Sequence, residues 1–268
     1  MQVLSTLILC SAGLALAYEV PANLQEIYKS HKAAKCENLL AKGFKAEQGA
    51  PSDTDYCGDI DGAIFLHSTS KGGAYADMDV DCDGAHNSEG SCSDDRSGQG
   101  VTAFQDETFT HMWSLEMRGQ KPSFMPDKHG MEPLSVMAIV CGGKLHYGIW
   151  GDTNGGVTTG EASISLAKLC YPNDKITGNN GHSAKDVLYI GFTGKGAVPG
   201  SKADWKAKNS KAFENSIKSL GDKLVAGLGS GGSKRLIKAS TSSFTTSVRA
   251  TTTTSSVSAG TSKACRTD

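Results

Sequence analysis

Residues 134–150 have the sequence Leu-Ser-Val-Met-Ala-Ile-Val-Cys-Gly-Gly-Lys-Leu-His-Tyr-Gly-Ile-Trp. The almost continuous apolar run at 134–140 is typical of a central strand that is buried on both faces. Residues 141–144 contain two glycines and predict a turn, after which 145–150 predicts a second strand that pairs back as a hairpin. This stretch indicates that the fold is built on a β-sheet.

The segments around this hairpin are shorter and less regular. They predict strands at 63–66 and 187–192, helices at 23–40, 164–169 and 205–220, and a loop rich in Gly, Ser and Asp at 67–100. Short strands joined by long glycine-rich connections favour a small barrel or sandwich. We therefore predict a mainly β fold with a few short helices, in the form of a compact β-barrel.

The two ends of the chain differ in composition from the middle. Residues 1–17 are uncharged, mostly apolar and end in Ala-Leu-Ala, so they predict a signal peptide and a secreted, extracellular protein. This apolar stretch is short for a membrane span, and we predict no membrane partner. Ser or Thr occupies 16 of the 23 positions at 240–262, which predicts a disordered Gly/Ser/Thr-rich tail at 221–268. A single domain then occupies 18–220.

The cysteines of this domain predict disulfides. They are Cys36, Cys57, Cys82, Cys92, Cys141 and Cys170. In a secreted chain without a Cys-x-x-Cys pair, cysteines are more often bridged than bound to a metal. Three bridges are expected to staple the domain, but only Cys82–Cys92 is indicated by proximity, and Cys265 is left over. We predict no metal and no cofactor.

The charge of the chain is close to balanced overall and uneven locally. The formal net charge is −1, which argues against a nucleic-acid-binding protein. Between residues 53 and 95, however, there are eleven acidic side chains and one basic side chain, Lys71. Such a region repels phosphate polymers and attracts a polycation, although a solvated, turn-rich surface has the same composition. We expect a monomer.

Asp152 and Glu161 are the strongest candidates for catalysis. They lie nine residues apart, each among glycines and small polar residues rather than beside basic partners. Glycoside hydrolysis needs two such carboxyl groups, one to protonate the leaving oxygen and one to activate water. Trp150 and Asn154 flank Asp152, and the Trp150 ring offers an apolar surface for a sugar. Acidic residues in glycine-rich loops are also common turn residues, so this alternative stays open.

Other carboxylates compete with this pair or could support it. Residues 79–84 begin like a calcium loop, but position 12 is Gly90 rather than Glu, and Cys82 indicates a bridge instead. We favour Asp79 and Asp81 as part of a wall that binds protonated amines, with turn formation as the alternative. Glu132 precedes a proline and lies on extended chain, which makes it the main rival carboxylate, followed by Asp59.

Several long motifs of the chain resemble those of the fungal secreted chitosanases of glycoside hydrolase family 75. They are YCGDI at 56–60, GAIFLH at 62–67, MDVDCDG at 78–84, GMEPLSVMA at 130–138, YGIWGDTNG at 147–155, GEAS at 160–163 and DVLYI at 186–190. The resemblance covers most of residues 18–200. It implies an endo-acting, inverting hydrolase of β-1,4-linked glucosamine, with chitosan as its partner and a fold related to double-psi β-barrels. It also implies that Asp152 and Glu161 are the essential carboxylates. We assign Glu161 as the general acid and Asp152 as the base that holds the attacking water.

One segment departs from that family. Where the family has a longer stretch with an apolar strand, residues 104–119 are polar and irregular. We predict that a barrel strand is missing there, and that the protein folds poorly or is inactive unless Phe109, Trp113, Leu115 and Met117 form a substitute. The alternative function is therefore a non-catalytic module that binds polysaccharide or loosens cell walls.

Overall fold

The structure is a computed structural model, and it describes residues 18–70, 74–82, 92, 112–117 and 121–229. The predicted signal peptide, most of the predicted tail with Cys265, Phe109, and much of the predicted loop at 67–100 lie outside the described residues. Among the helices that the structure describes, none is long and apolar enough to cross a membrane.

The described residues form nine strands and three α-helices. The strands are β1 (Leu39–Phe44), β2 (Thr54–Cys57), β3 (Ala63–Ser68), β4 (Ala76–Asp81), β5 (Met112–Met117), β6 (Val136–Cys141), β7 (Lys144–Asn154), β8 (Glu161–Ser163) and β9 (His182–Phe192). The helices are α1 (Ala22–Lys32), α2 (Ile164–Cys170) and α3 (Ser210–Gly227).

The nine strands form one sheet that curls on itself. The strand order is β1-β2-β3-β9-β4-β8-β5-β7-β6, and β9 pairs with β6 as well as with β4. These pairings link β9, β4, β8, β5, β7 and β6 into a closed circuit. The prediction of a compact, mainly β fold with few helices is confirmed, while the double-psi relationship stays a prediction.

The predicted central hairpin is present as β6 and β7. The two strands pair antiparallel from Val136 opposite Ile149 to Cys141 opposite Lys144. Every residue of β6 is buried, as expected for a strand covered on both faces. The strand begins two residues later than predicted, because Leu134 has a φ of 64°, which is incompatible with a strand.

The sheet separates two apolar clusters. The inner cluster includes Met78, Met137, Ile139, Trp150 and Tyr189. The helix-side cluster includes Val136, Ala138, Tyr147, Phe213 and Ile217, so α3 covers the outer face of the β6–β7 hairpin. Each large apolar side chain buried in this way contributes about 1.5–3 kcal/mol to stability.

The predicted helices are present, but two have different bounds. The helix predicted at 23–40 ends at Lys32, and Leu39 starts β1, which pairs with β2. The helix predicted at 205–220 is α3, which begins after Asn209, where the side chain accepts a hydrogen bond from the Ala212 N–H. Because α3 continues to Gly227, the predicted domain boundary at 220 falls inside it. The prediction at 164–169 is confirmed by α2.

Three disulfides staple the described residues. They join Cys36 to Cys57, Cys82 to Cys92, and Cys141 to Cys170. The pairing of Cys82 with Cys92 that proximity indicated is confirmed, and so is the expectation of three bridges. The first bridge ties the segment after α1 to the end of β2, and the third ties the end of β6 to the end of α2.

The missing strand that the sequence suggested is not missing. Residues 112–117 form β5, which lies between β8 and β7 and pairs parallel with β7 along its length. The sequence Trp-Ser-Leu-Glu-Met at 113–117 alternates apolar and polar residues, and a strand needs only this alternation rather than a continuous apolar run. The same reason corrects the predicted loop at 67–100, because Ala76–Asp81 is strand β4.

Candidate active site

Two hydrogen bonds hold Asp152 near the end of β7, one to its side-chain carboxylate and one to its backbone carbonyl. Its Oδ1 accepts a hydrogen bond from the Thr153 N–H at 2.8 Å, and its C=O accepts one from Trp150 Nε1 at 2.8 Å. Asp152 is only 6% exposed. The carboxyl group therefore has a defined position and is largely shielded from solvent.

Glu161 is the first residue of β8 and is partly exposed. It follows Gly160, whose φ of 96° turns the chain into the strand. The strand β8 pairs parallel with β4, which puts Glu161 opposite Asp79 and Ser163 opposite Asp81. The negative charge of Glu161 adds to burial in raising the pKa of Tyr56, so Glu161 also lies near the inner cluster.

The strand register brings Asp152 and Glu161 into one row. Ala162 on β8 lies opposite Trp113 on the antiparallel strand β5, so Glu161 is level with Ser114. Ser114 in turn lies opposite Asp152 on β7. At the usual strand spacing, two strand separations put Asp152 and Glu161 about 10 Å apart along the row.

The pairing of β5 with β7 has an irregularity next to Asp152. On β5 the next residue after Trp113 is Ser114, whereas their partners on β7 are Trp150 and Asp152, so Gly151 is an extra residue. A bulge of this kind changes the face on which the following side chain lies. Trp150 belongs to the inner cluster, and the extra residue Gly151 interrupts the regular alternation between Trp150 and Asp152.

Three acidic residues alternate along β4 beside this row. They are Asp77, Asp79 and Asp81, and the residues between them, Met78 and Val80, contact the inner cluster. Burial, followed by repulsion from Asp79, raises the pKa of Asp77 to about 7.

The pKa of Asp79 is raised in the same way. Burial, followed by repulsion from Glu47, raises it to about 6. Asp79 and Asp81 were predicted from the sequence, but Asp77 and Glu47 were not. The period of two in Asp-x-Asp-x-Asp is the signal that could have identified Asp77.

Two other predicted residues have structural contacts of their own. Asn154 Oδ1 accepts a hydrogen bond from the Gly156 N–H at 2.7 Å, and its Nδ2 donates to the Thr158 C=O at 3.2 Å, so the side chain shapes the turn after β7. Trp150 is 1% exposed and packs in the inner cluster. Its ring cannot stack on a sugar, and that prediction is wrong.

The rival carboxylates lie outside the row. Asp59 follows β2, which is separated from β8 by β3, β9 and β4 in the sheet, and its carboxylate accepts hydrogen bonds from the backbone N–H groups of Glu37 and Asn38. Glu132 precedes β6, and its C=O accepts a hydrogen bond from the Ser135 N–H. Glu132 is thus near the same end of the hairpin as Asp152, and its predicted contact with substrate stays a prediction.

Two groups of side chains in the described part have metal-like geometry. One contains Cys141, His146 and Cys170, and the other contains Cys36, Cys57 and Asp59. Each group includes a disulfide, so its sulfur atoms are oxidised and are not the thiolates that bind metals. We therefore interpret each group as a structural disulfide with one neighbouring side chain.

A row of two carboxylates on a curled β-sheet, beside an acidic strand, is an arrangement suited to polysaccharide hydrolysis. Residues 78–227 match the family described as fungal chitosanase of glycosyl hydrolase group 75. The chain belongs to this family and is therefore a member of a glycoside hydrolase family.

Individual relatives agree with this assignment. An Endo-chitosanase B of Aspergillus oryzae is 59% identical over 228 residues, which cover 80% of this chain and 93% of the relative. An Endo-chitosanase of Aspergillus fumigatus is 58% identical over the same length and shares. An Endo-chitosanase C of Aspergillus oryzae is 34% identical over 228 residues, covering 78% of this chain and 54% of the relative.

Proposed function

We propose that the protein is a secreted endo-chitosanase, which cleaves β-1,4 linkages between glucosamine units within chitosan with inversion at the anomeric carbon. Membership of the family and the names of the relatives support the substrate. The observation that carries the mechanism is the row formed by Asp152, Ser114 and Glu161 across three adjacent strands.

The spacing within this row suits an inverting reaction. In such reactions a water molecule must fit between the base and the anomeric carbon, so the two carboxyl groups lie about 6.5–9.5 Å apart. Two strand separations correspond to about 10 Å between backbone positions, and side chains that lean towards each other shorten that distance.

The two carboxyl groups are proposed to have different roles. Glu161 is partly exposed and lies opposite Asp79 on the adjacent strand β4. Asp152 is held in place by the hydrogen bond that its Oδ1 accepts from the Thr153 N–H. In this mechanism Glu161 gives its proton to the leaving oxygen, while Asp152 removes a proton from the attacking water.

The acidic residues of β4 are proposed to bind the amino groups of the substrate. A glucosamine ammonium beside Asp79 or Asp81 receives a charge-assisted hydrogen bond. Such a positive charge also favours the ionised form of Asp79, so binding of chitosan releases a proton from this residue below pH 6. Asn154 and Glu132 lie near the Asp152 end and are proposed to contact sugars there.

The alternative function, a non-catalytic binding module, is no longer supported by the reason that suggested it. It was motivated by a missing strand at 104–119, whereas β5 lies within that segment and pairs with β8 on one side and β7 on the other. The hydrolase is therefore the function that the geometry supports best.

The test is the release of reducing ends from soluble chitosan. We expect release by the wild-type chain and a loss of about 10²–10⁴-fold or more in kcat for Asp152→Asn and for Glu161→Gln, because each removes one proton-transfer group. Chitosan binding by both variants should persist, and the exposed variant Asp204→Asn should match the wild type. Binding of chitosan without any release by the wild type would favour the binding module.

A further inference from the structure

Gly160, the residue before Glu161, is held in place from two other strands. Its φ of 96° lies in the left-handed region that residues with a side chain rarely adopt. Its C=O accepts a hydrogen bond from the Asp79 N–H at 3.1 Å and a second one from the Tyr189 hydroxyl at 3.0 Å. The position of Gly160 sets the direction in which the chain enters β8, and therefore the position of Glu161.

Asp77 packs against Gly160 from β4. A Cβ atom added at Gly160 would lie 2.9 Å from the Asp77 carbonyl oxygen and 3.1 Å from Asp77 Oδ1, which leaves room for hydrogen only. Asp77 is 3% exposed, and among the described residues its Oδ1 has no hydrogen-bond partner. A charge at that position would be costly. Since the pKa of Asp77 is raised to about 7, its carboxyl group is mostly neutral in mildly acidic solution.

Tyr189 reaches Gly160 from the interior. It lies on β9, is completely buried, and its ring belongs to the inner cluster. The strand order places β4 between β9 and β8, so the hydroxyl spans the inner side of the sheet to reach the Gly160 carbonyl. Tyr189 therefore contacts the backbone next to Glu161, and because its side chain is completely buried it does not contact substrate.

We propose that Tyr189 and Asp77 are positioning residues, which fix the Gly160 peptide and thereby aim Glu161 at the glycosidic oxygen. This inference rests on the proposed role of Glu161 as the general acid. Proton transfer requires a heavy-atom distance of about 2.6–3.2 Å, and a misplacement of about 1 Å can lower the rate by about 10²-fold. Loss of either contact therefore lowers the rate of the chemical step and leaves the binding of chitosan almost unchanged.

The test is a set of conservative variants measured on soluble chitosan. Tyr189→Phe removes one hydroxyl and keeps the ring, and we expect kcat to fall about tenfold or more while KM changes less than about twofold. The matched control is Tyr75→Phe, because the Tyr75 hydroxyl also donates to a backbone carbonyl, that of Tyr28 at 2.6 Å, from a fully buried ring on the helix side. This control should keep the wild-type kcat and lose as much thermal stability as Tyr189→Phe.

Asp77 allows a rescue experiment. Asp77→Ala removes the group that packs on Gly160 and should lower kcat about tenfold or more with little change in KM. Asp77→Asn keeps the shape of the neutral acid, so its kcat should recover to within about threefold of the wild type. An Asn variant as slow as the Ala variant would overturn the role given to Asp77.

Amide hydrogen exchange gives a second readout that does not need turnover. We expect faster exchange at 160–163 in Tyr189→Phe than in Tyr75→Phe, because one hydrogen bond to Gly160 is lost. Equal exchange rates, or equal kcat values for the two tyrosine variants, would overturn the inference. Failure of the proposed function looks different, because the wild type would then release no reducing ends or Glu161→Gln would keep its activity.

Discussion

At the scale of single residues, burial on β4 changes the behaviour of ordinary carboxyl groups. The pKa of Asp77 rises to about 7, because the group is buried and Asp79 repels its charge, although Lys185 acts in the opposite direction. The pKa of Asp79 rises to about 6, because it is buried and lies near Glu47. In an unfolded chain an Asp has a pKa near 3.9, so both groups hold their protons more tightly when the protein is folded.

This difference predicts that the free energy of unfolding decreases as the pH rises from about 4 to about 7. In that interval the folded state retains a proton that the unfolded state has lost, so raising the pH favours unfolding. The stabilisation is fully present below about pH 4 and is lost as the pH passes through about 7, where Asp77 ionises. Asp77→Asn cannot ionise and should show a smaller decrease.

Denaturant unfolding at a series of pH values measures the effect. The exposed variant Asp204→Asn is the control and should follow the wild-type curve. Parallel curves for the wild type and Asp77→Asn would show that Asp77 has an ordinary pKa in the folded protein.

The candidate site could be predicted from the sequence only in part. Asp152 and Glu161 stay predictions, which the sequence supports because both residues lie among glycines in long motifs that resemble those of the family. Trp150 was misassigned, because a large aromatic ring suits an apolar core as well as a sugar, and its Nε1 donates to the Asp152 C=O instead. Asp77 was missed, because residues 67–100 were interpreted as a loop and the period of two that places Asp77 on one face with Asp79 was not used.

At the scale of elements, the strands with a continuous apolar run could be predicted from the sequence, and the strands with an alternating pattern could not. The hairpin of β6 and β7 could be predicted, because both faces of β6 are buried and its apolar run is continuous. The strands β4 and β5 could not, since an alternating strand with charged residues resembles a turn in a single sequence. The register between β5 and β7, which aligns Asp152 with Glu161, depends on contacts between segments far apart in the chain.

Helix α3 is attached to the sheet by a buried carboxylate. Glu214 is 2% exposed, and its Oε1 accepts a hydrogen bond from the Tyr147 N–H on β7 at 2.9 Å. His146 Nδ1 lies 3.3 Å from the same oxygen atom without hydrogen-bond geometry. The apolar residues Phe213 and Ile217 pack beside this contact in the helix-side cluster. A second polar contact joins the same two elements, because the Tyr147 hydroxyl donates a hydrogen bond to Asp222 Oδ1 at 2.9 Å. The helix is therefore held by polar contacts together with apolar packing.

Removal of this acceptor should destabilise the protein. We expect Glu214→Ala to lower the free energy of unfolding by about 1–3 kcal/mol, because it leaves the buried Tyr147 N–H without a partner. Glu214→Gln keeps an acceptor oxygen and should cost less. Chemical denaturation measures both, and Glu26→Ala on the exposed face of α1 should stay within about 0.5 kcal/mol of the wild type. A loss no larger for Glu214→Ala than for Glu26→Ala would contradict this account of how α3 is attached.

At the scale of the whole molecule, the acidic residues near β4 should steer a cationic polymer towards the row of carboxylates. The formal net charge is only −1, so the attraction is local. Exposed charges are screened over about 8–10 Å near physiological ionic strength, and KM for chitosan should therefore rise with added salt. A fully acetylated oligomer of the same length lacks the positive charges and should be a poor substrate at every salt concentration. Equal hydrolysis of the two oligomers would contradict the electrostatic account.

In the proposed mechanism Asp152 and Glu161 act from opposite ends of a row across β7, β5 and β8, three strands of the closed circuit. The most direct measurement is a proton NMR time course of glucosamine-oligomer hydrolysis, which identifies the anomer that is released first. An inverting pair acting on β-1,4 linkages must release the α-anomer first, and neither Asp152→Asn nor Glu161→Gln should release either anomer at a comparable rate. Initial release of the β-anomer, or near wild-type turnover by either variant, would contradict the account.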